Sequence, residues 1–335
     1  MADRASQPVA PATAETGAAG ASAVSAPAQA GARRRVRGRY SLLRRSDKIV
    51  LGLMVGIPLT LDLALIWGPT IASFFISLTN WNGIGSPFDA KVIGTKNYES
   101  LFTAYPFFWP ALAHNLIWLA WLMFVATPIG ILFAVLIDRI VRGTRFYQTV
   151  FYLPVVLSLA VIGIIWQLQY APEQGFINNV LGRSSNNNLI DWLGDPSLNI
   201  WAALVATSWR HVGYIMVLYL AGLKAFDPTL REAARVDGAS ERQTFFRVVF
   251  PVMMPINVVI VVITTIEALR AFDIAYIINR GKNGLELLST LITNNAISES
   301  NRLGFGSAIA VVLLVIALGP ILAFLIRMTR GEERR

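Results

Sequence analysis

The sequence predicts an all-α, polytopic membrane protein of about six transmembrane helices, with a two-helix segment on the cytoplasmic side. Three observations carry that expectation. The 335 residues are 55% hydrophobic and only 15% charged, where a soluble domain would hold about a quarter charged residues. Apolar runs recur at bilayer-crossing length, which needs about 20 residues. Lys and Arg gather in alternate segments between those runs, the asymmetry that orients membrane helices.

Residues 1–32 are rich in Ala, Pro, Ser, Gly and Thr without apolar periodicity, and disorder is expected there. A basic block follows, with Arg33, Arg34, Arg35, Arg37, Arg39, Arg44, Arg45 and Lys48. Residues 1–45 read as a basic cytoplasmic tail and 46–335 as the transmembrane domain. The next apolar run is too long for a signal-peptide core and lacks a convincing cleavage pattern, so it reads as an uncleaved first helix.

Spans are expected near 49–76, 111–137, 149–169, 200–223, 248–269 and 305–327. Prolines 58, 69, 128 and 154 fall within or at the ends of spans, which membrane helices tolerate where neighbours satisfy the freed backbone groups. With the N-terminus inside, segments 1–48, 138–148, 224–247 and 327–335 hold 21 of the 29 Lys and Arg. Segments 77–110, 170–199 and 270–304 hold 7, and Arg210 lies in the fourth span. Both termini and the segment 224–247 are therefore expected in the cytoplasm. The Ala- and Arg-rich composition suggests a bacterial source, and hence a bacterial cell membrane.

Segment 227–251 has its own logic. Asp227 can cap a helix whose first residue is Pro228, where a missing N–H costs nothing. Leu230 to Asp237 continues that helix, and Gly238 permits a left-handed turn to end it. Ser240 with Gln243 forms a capping box for a second helix. Two short helices at an angle make a compact knob.

Several chemistries are excluded or disfavoured. There is no cysteine, and two histidines, His114 and His211, are too few for a histidine-rich metal site. No phosphate-binding G-x-x-x-x-G-K-[ST] loop occurs, so ATP is not bound by that route. The net charge of +9 lies beside spans rather than on a soluble domain, which argues against nucleic acid. Asp62, Arg210 and Glu267 fall in or near spans, where facing lipid costs roughly 2.5–3.5 kcal/mol each. Such charges either line a polar translocation path or pair between helices or subunits, and pairing is the reading favoured for Asp62. Glu267, Arg270 and Asp273, spaced three apart, could form an ion-paired ladder on one helix face.

The segment Glu232-Ala233-Ala234, two residues, Asp237-Gly238-Ala239, five residues, Phe245, five residues, Pro251 resembles the EAA loop of permease subunits in binding-protein-dependent ABC importers. Within that family the chain is similar to the first permease of maltose- and glycerol-phosphate-type carbohydrate systems. Ser77-Leu-Thr-Asn-Trp81, Gly94-Thr-Lys-Asn-Tyr98, Phe151-Tyr-Leu-Pro154, Gly175-Phe-Ile-Asn178, Trp192-Leu-Gly-Asp-Pro196 and Phe272-Asp273 with Tyr276 extend the likeness. One departure is Asn279-Arg-Gly-Lys-Asn-Gly284, where the family usually has T-G-G-P.

The resemblance implies a non-catalytic permease subunit of the type I importer fold. It would pass a sugar, a di- or oligosaccharide, by alternating access. A second non-identical permease, an ATPase dimer holding ATP and Mg, and an external binding protein are the implied partners. Glu232, Ala233, Ala234, Asp237, Gly238 and Ala239 would couple to the ATPase. His211, Tyr214, Thr264 and, more weakly, Ser158 are the implied substrate-path residues. Two cavity asparagines of the maltose system fall at Ala268 and Ala271, so that site is not reproduced. The alternatives are a glycerol-phosphate-like or polyol solute, or a secondary transporter, which should show inverted repeats and broken mid-membrane helices.

Overall fold

The computed structural model describes residues 44–139, 143–183, 188–298 and 301–332. Most of the expected tail, residues 1–43, lies outside them. Contacts divide the chain at Leu59–Thr60. The described part of the first unit is one helical stretch, nearly all of it exposed.

The helices follow in order: α1 (Arg45–Asp62), α2 (Gly68–Ser77), α3 (Lys96–Thr103), α4 (Phe108–Trp121), α5 (Thr127–Arg139), α6 (Thr144–Val156), α7 (Leu159–Gln169), α8 (Phe176–Val180) and α9 (Asn199–Ala225). Then come α10 (Pro228–Val236), α11 (Glu241–Thr244), α12 (Phe250–Val252), α13 (Met254–Leu269), α14 (Asp273–Asn279), α15 (Leu288–Thr293) and α16 (Leu303–Glu332). No strand occurs among the described residues beyond one isolated bridge, Thr79 with Val92.

Three runs are long and apolar enough to cross a bilayer: Ser46–Ser77, Phe108–Arg139 and Leu303–Pro320. Two expected spans are not single helices. The third breaks after Val156, and α6 and α7 are bent by 99°. The fifth breaks at Met253, with a bend of 76°. The fourth is α9, whose 27 residues would reach about 40 Å. Ser208, Arg210 and His211 make its middle polar, and about half of the helix is buried. Broken spans, which the sequence reading expected of a secondary transporter, are therefore present here.

Wide π turns join several pieces. Leu63–Trp67, Leu122–Ala126 and Phe245–Val249 each end two residues before a proline: Pro69, Pro128 and Pro251. A proline ring crowds the carbonyl four residues back. Those carbonyls belong to Leu65, Phe124 and Arg247, the middle residue of each turn. Widening the helix there relieves the crowding.

Small residues set the helix spacing. A Cβ on Gly213 of α9 would lie 2.1 Å from the Phe151 carbonyl oxygen of α6. One on Gly130 of α5 would meet Ile215 Cβ at 2.8 Å and the Val212 oxygen at 2.9 Å. Such residues let backbones touch where lipid offers no hydrophobic drive. Around them Ala134, Ile137, Ile215, Met216, Tyr219 and Ile260 form one buried cluster. Trp118, Leu122, Ile162, Leu204, Ala268 and Leu287 belong to a second.

The loop motifs clasp one another. Asn97 donates from Nδ2 to the carbonyls of Ser77 and Thr79 at 2.7 and 2.8 Å, and Ser77 Oγ lies 2.6 Å from Tyr98 Oη. Asn178 donates to the carbonyls of Pro172 and Ile190 and accepts from Trp192 Nε1 at 2.9 Å. The departing loop 279–284 is anchored too. Asn283 donates to the Gly194 carbonyl, and Asn199 donates to the Asn283 carbonyl.

Candidate functional site: a coupling knob and a polar cavity

The segment 227–251 folds as its caps require. Asp227 Oδ1 accepts from the Thr229 backbone N–H at 2.9 Å. Bonds from the Thr229 backbone and hydroxyl hold the exposed Asp227 carboxyl below the usual carboxylate range. Helix α10 ends in a Schellman arrangement. Ala239 N–H reaches the Ala234 carbonyl and Gly238 N–H the Arg235 carbonyl, both at 3.0 Å. Gly238 has φ +80°. The capping box closes with Ser240 N–H on Gln243 Oε1 at 2.8 Å and Gln243 N–H on Ser240 Oγ at 3.3 Å.

Of α10, only Ala234 is buried. Glu232, Ala233, Asp237 and Gly238 are exposed and Ala239 is half-buried. Val236, 87% exposed, adds an apolar spot to the outward face. Ion pairs hold the knob. Asp138 at the end of α5 accepts from Arg231 Nη1 at 2.8 Å and pairs with Lys224 Nζ at 3.1 Å. Its neighbour Arg139 pairs with Glu241 at 3.1 Å, and Glu241 also pairs with Arg235 at 3.1 Å.

The second region lies where α13 ends. A cavity of about 230 Å³ is lined by Trp118, Thr207, Arg210, Glu267, Arg270, Phe272 and Asp273, with apolar neighbours. Helix α13 stops at Leu269 and α14 starts at Asp273. The expected ladder of Glu267, Arg270 and Asp273 therefore does not form: its members sit on two helices and the turn between them. Glu267 instead crosses to α9, meeting Arg210 Nη1 at 3.2 Å and His211 Nδ1 at 2.9 Å.

His211 and Thr264 stand behind that pair. His211 is 1% exposed and Thr264 fully buried. His211 Nε2 lies 3.1 Å from Thr127 Oγ1 and 3.4 Å from Thr264 Oγ1. Since Glu267 accepts, His211 Nδ1 carries the hydrogen. Tyr214 is half-buried and packs on the Ile215–Tyr219 cluster. Ser158 sits at the α6–α7 break and caps α7, accepting from Val161 N–H at 3.3 Å. Asp62 ends α1 and has no ion pair among the described residues. Thus two of the four residues implied for the substrate path meet in one network, behind the cavity wall rather than on it.

Sequence reasoning missed Trp118 and Phe272 as lining residues and Asp138 as an anchor. It placed Glu267 among the in-span charges and in a ladder with Arg270 and Asp273, without its partners Arg210 and His211. The one available signal was polarity, because Thr127 and Asp138 interrupt an apolar run.

Residues 126–330, well over half of the chain, match the family model described as binding-protein-dependent transport system inner membrane component. The chain belongs to that permease family. A xylose/arabinose import permease of Haloferax volcanii is 34% identical to this permease over 269 residues, covering 79% of this chain and 84% of the relative. A trehalose/maltose transport permease of Thermococcus litoralis is 28% identical over 279 residues, covering 82% and 92%. Among solved structures, a chain of a bacterial ABC transporter for alginate superposes with a TM-score of 0.73 at 22% identity, over 85% of this chain and 96% of that one. That likeness establishes the fold. The permease is a membrane-embedded subunit of an ABC importer.

Proposed function

We propose that this permease passes a neutral sugar, a di- or oligosaccharide, to the cytoplasm, driven by ATP hydrolysed on a partner chain. The charge balance of the cavity carries the choice of a neutral solute. Its wall holds two cations, Arg210 and Arg270, and two anions, Glu267 and Asp273. Arg210 is matched directly by Glu267. An anionic solute would find no net attraction there, which disfavours the glycerol-phosphate alternative. Trp118 and Phe272 offer aromatic surface for apolar sugar faces. The sugar-importing relatives support the same class.

In this reading Glu232, Ala233, Ala234, Asp237, Gly238 and Ala239 present the knob to an ATPase dimer that holds ATP and Mg. A second, non-identical permease completes the path, and an external binding protein delivers the sugar. Six passes rest on the apolar runs of the sequence, and the Lys and Arg distribution supports both termini in the cytoplasm. A reporter fused after Arg335 should be active only as a cytoplasmic enzyme.

The function is tested by reconstituting the permease with its genomic partners in vesicles. ATP-dependent uptake of a neutral oligosaccharide is compared with that of a glycerol phosphodiester. Uptake of the phosphodiester alone would overturn the reading.

A further inference from the structure

Helix α10 itself brings little apolar surface to the rest of the chain, whereas Phe245 and Val249 further along the segment pack into the cluster around Tyr219. Ala234 is the one buried residue of α10, and an alanine side chain contributes little burial. Polar contacts therefore carry most of the placement of α10. The Arg139–Glu241–Arg235 chain has side chains 50–63% exposed, and exposed pairs of that kind contribute little. Asp138 differs. Its side chain is 9% exposed, and both oxygens are engaged, one by Arg231 of α10 and one by Lys224 at the end of α9. Arg231 is 30% exposed, and its guanidinium sits 5.3 Å from the centre of the Phe226 ring, which fixes its direction.

We propose that Asp138 is the positioning residue that ties the knob to the second span, so that movement of the knob moves that helix. The proposal rests on the importer reading above. Asp138 is the penultimate residue of the helical run Phe108–Arg139. Further along the same run, Thr127 meets His211, and Trp118 and Leu122 line the cavity. His211 in turn holds Glu267. A displacement of Arg231 therefore has a continuous path to the cavity wall, through one helical run and one hydrogen-bonded network. A mutant cycle measures the coupling along that path.

The test uses the complete transporter in vesicles and reads solute moved per ATP hydrolysed. Asp138→Asn, Arg231→Gln and the double variant are compared, with assembly scored by co-purification of the ATPase. Each single change should lower the ratio about tenfold, a loss discounted for the partial exposure of Arg231. The double variant should be no worse than the poorer single one. Lys224→Gln, at a side chain 61% exposed, should do less. If Asp138→Asn does not assemble, Arg231→Lys, which keeps the charge but loses the planar fork, should still lower the ratio. An unchanged ratio in the assembled variants, or additive losses in the double variant, overturns the proposal. Absence of any ATP-dependent uptake by the wild type would instead overturn the importer reading itself.

Discussion

Replacing Gly238 isolates the role of a single backbone angle. Its φ is +80°, and a Cβ added there meets nothing within 4 Å. No clash contributes, so the cost of a substitution is conformational. An L-residue held in the left-handed region pays roughly 1–2 kcal/mol, and a β-branched one more. One to two kcal/mol is a factor of about 5–30 in the population of the turn. Asparagine visits this region readily. The expected order of ATP-driven uptake in reconstituted vesicles is therefore Gly238, Gly238→Asn, Gly238→Ala, Gly238→Val. Substrate binding by the external protein should be unchanged throughout. Wild-type uptake by Gly238→Val would refute the reasoning. Equal defects in the Asn and Val variants would refute it differently, by making side-chain bulk rather than φ the cause.

Two further substitutions probe packing and charge. Gly213→Ala places a Cβ against a backbone oxygen that cannot rotate away, so α6 and α9 must part. A cost of about 1–3 kcal/mol is expected, read as an earlier thermal transition of the purified complex in detergent, and an unchanged transition would contradict the close approach. Glu267→Gln leaves Arg210 without its countercharge. The side chains are 23% and 29% exposed, which scales the penalty down to about 1–2 kcal/mol. The double change Arg210→Gln with Glu267→Gln should be milder than Glu267→Gln alone, and a harsher double variant would show that the two do not act as a pair.

What was legible in the sequence was local chemistry with fixed offsets. Asp227, Pro228, Gly238, Ser240 and Gln243 each specify a backbone group to be satisfied, and every one of these caps is present. The knob followed from nearest neighbours in the chain. The bends were not legible, because composition does not distinguish a straight apolar run from a broken one. The hydroxyl of Ser158, an implied substrate-path residue, caps α7, and no pattern in the sequence marks the helix that starts there. Arg270 was read as a rung of a ladder when its backbone ends α13. Nothing between Leu269 and Asp273 marks that stop, since no glycine or proline stands there. Asp138 and the Glu267 network depend on residues distant in the chain, and a single sequence carries no record of such pairs.

The π turn at Leu122–Ala126 also keeps the second span in phase. Its buried face includes Ala111, Trp118, Leu122, Ala126, Gly130, Ala134 and Ile137. Ala111 and Ile137 are 26 positions apart, about 7.2 turns of a uniform α-helix, which would leave Ile137 roughly 80° round from Ala111. With one position absorbed by the wide turn, the count falls to about 6.9 turns and the two ends share a face. Length in this helix is therefore not neutral. Deleting Phe124, a side chain 77% exposed, would let the wide turn close to plain α-helix and keep the face, whereas inserting one residue there would swing Gly130, Ala134 and Ile137 about 100° away from α9. Asp138 would turn with them, out of reach of Arg231.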